Sequence, residues 1–133
     1  MSDIIEIVKN MVFKFKNDMY KKARGGYSRF INLYCSHCGT YLLLYQKDGP
    51  GSLKRLYMDR IFAPKELVCI ATNSTKEMPK LACLQCKREI GIPTIYEKEN
   101  RKTFQLISLS IIKKVSTGIY PPKLTNITVK RQK

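Results

Sequence analysis

Acidic side chains are scarce in this chain: its 133 residues include 10 Asp and Glu against 25 Lys and Arg. The formal net charge is +15 at pH 7, and the sequence pI is about 9.8. Such a charge repels itself in the folded state and suits a polyanionic partner, with nucleic acid ahead of an anionic membrane surface. The alternative is that the charge only keeps a small protein in solution.

Long apolar runs are also missing. The best one, residues 104–112, is shorter than the ~18–20 residues that span a bilayer, and Gln105, Ser108 and Ser110 interrupt it. The first residues have neither the basic region nor the small-residue cleavage site of a secretory signal. We therefore expect no membrane span and a cytoplasmic location. In that reducing environment, paired cysteines bind metal or perform redox chemistry in preference to forming disulfides.

Catalytic motifs are missing as well. The sequence has one histidine, His37, and contains no Walker-type glycine loop, no H-E-x-x-H and no nucleophile elbow. We therefore predict a binding protein with no catalytic residues and no small-molecule substrate. Cys69 lies in an apolar stretch and is expected to be a small buried hydrophobe. The lesser alternative is a zinc β-fold enzyme that uses Cys69 as its nucleophile.

Two C-x-x-C pairs are the strongest motif in the sequence. Cys35 and Cys38 form the first pair, and Cys83 and Cys86 form the second. Each pair directs two sulfurs to one point, and two pairs complete the tetrahedral shell of a structural zinc ion, so we predict one Zn²⁺ per chain. Four cysteines leave no coordination position for water or substrate. A redox dithiol, unligated buried cysteines and an iron ion on the same thiolates are the alternatives.

The residues beside the two pairs differ. Gly39, directly after the first pair, fits a turn that needs positive φ or a close backbone approach, whereas Lys87 occupies the matching place in the second. His37 lies inside the first pair and is expected to point to solvent; the alternatives are a metal ligand or an acid or base.

The spacing of apolar residues predicts an α+β fold that is mainly β. Residues 2–23 have apolar side chains at three- and four-residue steps, which predicts an amphipathic helix that ends at Gly25 and Gly26. This helix either packs on the sheet or lies on an anionic membrane, and we favour the sheet. Short apolar and aromatic runs predict strands at residues 30–34, 40–46, 53–58, 66–70, 89–96 and 103–115.

These elements predict three parts of the chain. Residues 1–26 form the N-terminal amphipathic helix, residues 27–115 a small antiparallel zinc-ribbon-like sheet closed by the four-cysteine metal site, and residues 116–133 a basic, mobile tail. Pro93 either weakens the strand at residues 89–96 or places it on a sheet edge, because proline cannot donate to a strand ladder. Residues 97–101 are expected to form the turn of a hairpin.

A segment between the cysteine pairs combines cations, tyrosines and the turn Gly49-Pro50-Gly51. Backbone amides of such a turn can approach phosphate closely, and tyrosine rings can stack on unpaired bases. The alternative is an ordinary hairpin in which Tyr57 is in the core and Arg60 pairs with Asp59 or Asp48. The candidate nucleic-acid contacts, including those in the tail, are Lys47, Lys54, Arg55, Tyr57, Arg60, Lys130, Arg131 and Lys133.

Residues 35–61 resemble a group of small prokaryotic zinc-ribbon proteins. They share C-x-x-C-G, a glycine-rich turn, and an Arg- and Tyr-bearing strand that ends in Asp-Arg-Ile. The resemblance implies a zinc β fold and no particular activity; Lys87 departs from the usual pattern. Our leading hypothesis is a zinc-stabilised protein that binds RNA in preference to DNA, on a ribosome or another ribonucleoprotein. The alternative is a zinc-ribbon module that binds another protein in a transcription or modification assembly.

Overall fold

The computed structural model describes residues 11–70 and 78–129, which form antiparallel β-sheets with little helix. The strands are β1 (Met11–Val12), β2 (Ser28–Cys35), β3 (Tyr41–Asp48), β4 (Arg55–Tyr57), β5 (Ile61–Ala63), β6 (Leu81–Ala82), β7 (Glu89–Tyr96), β8 (Arg101–Leu106), β9 (Ile111–Ser116) and β10 (Ile119–Tyr120). The helices are α1 (Met19–Ala23) and α2 (Lys65–Ile70), with one 3-10 turn at Met58–Arg60.

The first four-stranded sheet has the order β5-β3-β2-β9. Its centre is the β2–β3 hairpin, in which Ile31 pairs with Tyr45 and Leu33 with Leu43. Alternation along β2 sends Ile31 and Leu33 to one face, whereas Phe30 joins a smaller apolar cluster with Leu44 on the other. Both faces of the hairpin are therefore covered, which explains why the apolar residues of β2 do not simply alternate with polar ones.

The second four-stranded sheet has the order β4-β8-β7-β6. Strand β7 occupies the predicted residues 89–96, and the hairpin turn predicted at residues 97–101 joins it to β8, with Tyr96 opposite Arg101. Strand β6 pairs with β7 only as far as Gly91, so within the described part of the chain Pro93 lies on a free edge. Strand β7 as a whole lies between β8 and β6, so the prediction of an edge strand holds only for its second half, where Pro93 lies.

The two sheets share one core. Leu33 and Leu43 from the first sheet and Ile90 and Phe104 from the second belong to the same buried cluster, each almost fully shielded from solvent. Burial of a side chain of this size contributes about 1.5–3 kcal/mol to folding. Strands β3 and β7 each run from a C-x-x-C turn at one end of this core to its opposite end.

The predicted N-terminal helix is wrong over most of its described length. Residues 1–10 lie outside the described chain, Met11–Val12 is extended and pairs with β10, and only Met19–Ala23 is helical. Phe15, which belongs to the predicted helical stripe, stacks on Phe30, and the nearby Phe13 lies edge-on to Phe62. Tertiary pairing thus overrides a periodicity that residues 11–18 share with amphipathic helices.

Helix α1 itself has clear local signals. Asp18 caps it by accepting hydrogen bonds from the amides of Tyr20 and Lys21 at 3.1 and 3.2 Å. It ends before Gly25 and Gly26, both at positive φ, with the amide of Gly26 donating to the carbonyl of Lys21. The predicted stop at the two glycines is therefore confirmed.

Two further strand predictions need correction. Residues 66–70 form helix α2, because Leu67 and Ile70 reach the core at a spacing of three residues and the Pro64 carbonyl accepts the amides of the first turn. Residues 103–115 are not one strand: the chain turns at 107–110, with Leu109 at positive φ, and crosses from the second sheet to the first. Prediction from local sequence could not detect this change of sheet.

The first part of the predicted C-terminal tail pairs with other segments of the chain. Ile119–Tyr120 pairs with β1, and the backbone of Thr125 and Ile127 hydrogen-bonds to Tyr41 and Gly39 at 3.0 and 2.8 Å. Residues 119–127 are thus hydrogen-bonded to two neighbouring backbone segments, which the prediction of a separate tail did not include. Residues 130–133 lie outside the described chain.

Candidate metal centre and basic cleft

The two C-x-x-C turns have the same backbone geometry. In the first, the amide of Cys35 donates to the carbonyl of Thr40 and the amide of Gly39 to the carbonyl of Cys35, each at 2.8 Å. In the second, the amide of Cys83 donates to the carbonyl of Arg88 at 2.9 Å and that of Lys87 to the carbonyl of Cys83 at 2.8 Å. Each turn therefore holds its two cysteines in the same relative position.

The residue after each pair has the same left-handed backbone conformation. Gly39 has φ 81° and Lys87 has φ 69°. Lysine has a steric cost there that glycine avoids, but the turn keeps its form. The departure of Lys87 from the zinc-ribbon pattern therefore leaves the backbone geometry of the second turn intact.

The four predicted metal-binding cysteines meet at one point. Their sulfurs all lie within 4.8 Å of one another, with Cys35 Sγ 3.6 Å from Cys86 Sγ and Cys38 Sγ 3.5 Å from Cys83 Sγ. Sulfurs around a tetrahedral zinc ion, with Zn–S near 2.3 Å, are about 3.8 Å apart. The distances are far too long for disulfides and close to those that a single ion requires. The cluster could thus hold one metal ion.

The thiols differ in their protonation energetics. Burial raises the pKa of Cys35 to about 12 and also raises the pKa of Cys83. Burial acts in the same direction on Cys38, but hydrogen bonds with the Thr40 side chain and backbone and with the Cys83 and Cys86 thiols together outweigh it and lower the pKa of Cys38 to about 6. Because thiolates and not thiols bind metal, an ion at this site must displace protons from the buried pair.

The surroundings of the cluster place His37 outside it. His37 is exposed, and its Nδ1 lies 3.1 Å from Nη1 of Arg88, a residue at the other C-x-x-C turn. Among the described residues, the side chains that are close enough to hold a metal ion together are the four cysteines, and His37 is not one of them. The first turn belongs to the β2–β3 hairpin and the second lies between β6 and β7, so an ion here would join the two sheets.

A basic cleft lies at the opposite end of the core from the cysteines. Its volume is about 260 Å³, and five cations and one carboxylate, Asp48, line it. It collects all five of the candidate nucleic-acid residues that fall within the described chain. The lining cations are Arg24, Lys47, Lys54, Arg55 and Arg60, and Tyr45, Tyr57 and Tyr96 supply rings.

Three of these cations have no carboxylate partner in the parts of the chain that the structure describes. Lys54 is exposed at the rim, and the Arg55 guanidinium stacks 4.2 Å from the centre of the Tyr96 ring. Lys47 is buried, and its Nζ donates to the Gly49 carbonyl at 2.9 Å. Burial, together with the charges of Arg29 and Lys113, lowers the pKa of Lys47. The cleft thus contains positive charge that its walls do not neutralise.

Arg60 belongs to an internal ion-pair network. It is 1% exposed, donates to Asp48 at 2.8 Å and to Asp18 at 2.6 and 3.0 Å, and lies 3.9 Å from Asp59. This is the pairing that the hairpin alternative anticipated for Arg60, extended by Asp18. Its charge is neutralised at the base of the cleft, and we assign it to the fold instead of to phosphate contact.

Tyr57 is likewise engaged within the protein. The guanidinium of Arg101 lies 3.8 Å from the centres of both the Tyr57 and the Tyr20 rings, and Arg24 donates to the Tyr57 hydroxyl at 2.9 Å. Arg24 and Arg101 also share the carboxylate of Glu99. The predicted stacking of Tyr57 on a base would have to displace these contacts.

Sequence reasoning missed two residues of the cleft, Arg24 and Tyr96. Both lie far along the chain from the Gly-Pro-Gly turn, and the contact between Arg24 and Glu99 spans 75 residues. A sequence pattern over a few neighbouring residues cannot predict such a contact. The remaining candidates, Lys130, Arg131 and Lys133, lie outside the described residues.

Cys69 does not have the predicted location. It is exposed on α2, whereas the strand prediction placed it in the core. The helix turns Leu67 and Ile70 toward the core and leaves Cys69 on its outer side. It lines neither the basic cleft nor the apolar groove described below.

No helix in residues 11–70 and 78–129 has both the length and the apolar character needed to cross a membrane. No protein-family model matches this chain, and searches of curated proteins and of solved structures likewise found no match. The resemblance to small zinc-ribbon proteins therefore stays a prediction.

Proposed function

We propose that this is a zinc-stabilised RNA-binding protein, in which the cysteine cluster joins the two sheets and the basic cleft contacts phosphates. Zinc is the ion proposed because a closed shell of four cysteines in two C-x-x-C turns is its usual structural site. Four thiolates at this spacing also suit iron, and metal analysis of the purified protein distinguishes the two. We propose no catalytic role for the metal or for Cys69.

The observation that supports RNA binding is the convergence of unneutralised charge in one cleft. Lys47, Lys54 and Arg55 line a space of about 260 Å³ without a carboxylate partner among the described residues. Cations that are not paired internally gain most from phosphate oxygens, and the net charge of +15 increases the local concentration of any polyanion.

The shape of the cleft favours RNA with unpaired nucleotides over duplex DNA. A cleft of about 260 Å³ is too small for a double helix, but its rim carries the stacked pair of Arg55 and Tyr96. Planar guanidinium and aromatic groups are the surfaces on which unpaired bases stack. We propose that the RNA belongs to a ribosome or another protein–RNA assembly, as the total charge suggests.

Salt dependence tests this function directly. Metal-loaded protein is titrated with labelled structured RNA, single-stranded RNA and duplex DNA over a range of salt concentrations. We expect RNA to bind most tightly, with an affinity that falls steeply as salt rises. Lys54→Gln and Arg55→Gln should each reduce the salt slope by about one. Lys65→Gln removes an exposed charge from α2, away from the cleft lining, and is the matched control.

Absent binding, or binding that hardly responds to salt and to the two cleft substitutions, would exclude the proposed function. A shallow response with retained affinity for another protein would instead support the second candidate.

The second candidate is a protein-interaction module, and an apolar groove beside the second C-x-x-C turn favours it. The groove has a volume of about 440 Å³, and Leu84, between the two cysteines of that turn, is 86% exposed at its border. Exposed apolar surface of this kind marks binding sites for proteins. Leu84→Glu should abolish such an interaction and leave RNA binding unchanged. The apolar lining of the groove includes Leu42, Pro64, Leu67, Ile70, Leu81 and Phe104.

A further inference from the structure

The basic cleft is closed at its base. Tyr45, Gln46 and Arg60 are at most 2% exposed and form its floor. The hydroxyl of Tyr45 accepts the amide of Tyr57 at 2.8 Å, and the side-chain amide of Gln46 bonds to the backbone of Lys16 at 2.7 and 3.1 Å. These groups already have partners, so the floor is a wall and not a passage. A cleft that is closed at its base can receive the end of a nucleic-acid strand.

Lys47 forms the deepest unneutralised charge of this cleft. It is 5% exposed, and the carbonyl of Gly49 is the acceptor that the described residues provide for its ammonium group. An ammonium group has three donors, and a buried cation with one neutral acceptor is costly to maintain. The lining carboxylate, Asp48, is already bound by Arg60, Ser28 and Gln46. An anion in the cleft would supply the missing acceptors.

Size and charge limit what this anion is. The volume of about 260 Å³ is below the range of about 300–1,000 Å³ that is usual for sites of drug-sized ligands, so the cleft has room for a phosphate with about one nucleotide and not for a longer segment of a strand. Lys47, Lys54 and Arg55 bring three positive charges to it. A phosphodiester carries one negative charge, whereas a terminal phosphate monoester carries nearly two near pH 7. The monoester matches the unneutralised charge better.

We propose that the cleft binds the terminal phosphate monoester of an RNA strand, with Lys47 at its base and Lys54 and Arg55 at its rim. This inference rests on the proposed RNA-binding function and adds a preference for strand ends. The rest of the RNA would then leave the cleft past Lys54 and the stacked Arg55–Tyr96 pair.

Direct binding measurements with end-defined RNAs test the inference. One short single-stranded RNA, internally labelled, is prepared with hydroxyl groups at both ends, with a 5′-phosphate, or with a 3′-phosphate, and each form is titrated with the metal-loaded full chain. We expect about tenfold tighter binding of one phosphorylated form than of the hydroxyl form. Preference for either phosphorylated end supports the inference and identifies the end that binds.

Variants separate the cleft from general charge effects. Lys47→Met keeps the buried aliphatic chain and should reduce the preference for the phosphorylated form to less than about twofold. Lys54→Gln should have the same effect. It changes only an exposed side chain, so the test stays valid if the first variant folds poorly. Lys65→Gln should retain the full preference. Equal binding of all three RNAs by the native protein would overturn this inference and leave the proposed function standing. Failure to bind any of them would overturn both.

Discussion

Different kinds of contact hold the chain together at the two ends of the core. At one end, four cysteine sulfurs within 4.8 Å of one another come from turns of both sheets. At the other, guanidinium groups and carboxylates connect both sheets, the 3-10 turn and the N-terminal segment. A metal site is either formed or lost as a unit, whereas an ion-pair network weakens one contact at a time. The ends should therefore respond to different perturbations and to different degrees.

Removal of the metal should have the largest effect. Structural zinc contributes about 10–16 kcal/mol of apparent binding energy, which is comparable to or larger than the total stability of a typical domain. A strong chelator, or Cys83→Ser, is therefore expected to abolish cooperative thermal unfolding followed by circular dichroism. Cys69→Ser is the matched cysteine control and should retain both the metal and the transition. An unchanged melting curve after complete metal removal would contradict a structural metal centre.

Loss of the buried cation at the opposite end should have the next largest effect. Arg60→Met leaves Asp48 buried without its guanidinium, and breaking such a pair costs about 3–5 kcal/mol. Urea denaturation of the metal-loaded protein measures the change. Lys80→Met breaks the exposed pair with Glu89 and should change stability by less than about 1 kcal/mol. Similar values for the two variants would mean that the Arg60 network contributes no more than a surface ion pair.

Acid should weaken the ion-pair end in a defined pH window. The hydrogen bond from Arg60 lowers the pKa of Asp18 from 3.8 to about 2, and that from Arg24 lowers the pKa of Glu99 from 4.5. A carboxylate with a depressed pKa in the folded state stabilises the protein fully above its unfolded pKa, and this contribution is lost as pH falls through the folded pKa. The contribution to stability should therefore be constant above about pH 5 and decrease toward about pH 2.

The unfolding free energy of the native protein and of Arg60→Met is measured over this pH interval. The comparison is needed because acid also acts on the metal site, and it does so equally in both proteins. The variant should show a smaller loss of unfolding free energy over the same interval. An identical loss in the two proteins would show that Asp18 and Arg60 are not coupled as the structure indicates.

The smallest expected effect is a gain at the cysteine end. Lys87 has φ 69° where the first turn has Gly39, so Lys87→Gly should remove steric cost and stabilise the metal-loaded protein by about 0.5–1 kcal/mol. Gly39→Ala is the opposite test, since its Cβ would clash with the Ile127 carbonyl oxygen and should destabilise the fold. Thermal melts of both variants check this. A destabilised Lys87→Gly variant would assign the lysine side chain a role of its own.

The cysteine site and the β7–β8 hairpin could be predicted from sequence because their signals are local. A C-x-x-C pair sets the relative position of two sulfurs by itself, and the strand at residues 89–96 shows apolar side chains with a turn directly after it. Convergence of the two pairs on one site followed from the chemistry of zinc, which needs four ligands. The cluster of the four sulfurs confirms that expectation.

The errors lie where a distant partner decides the local structure. Residues 11–12 are extended because Ile119–Tyr120 supplies a strand partner, and the Leu67 and Ile70 side chains fit the core from a helix and not from a strand. Either conformation satisfies the apolar spacing of these short segments, so the packing partner makes the choice.

The sequence by itself determined a mainly β protein with four cysteines at metal-binding spacing and a large excess of positive charge. Only the tertiary structure decided which cations are left without a carboxylate partner, because the partners can lie far along the chain. Arg60 is neutralised by Asp18 and Asp48, whereas Lys47, Lys54 and Arg55 line the cleft without such partners among the described residues. Charge is a property of composition, but its neutralisation is a property of the fold.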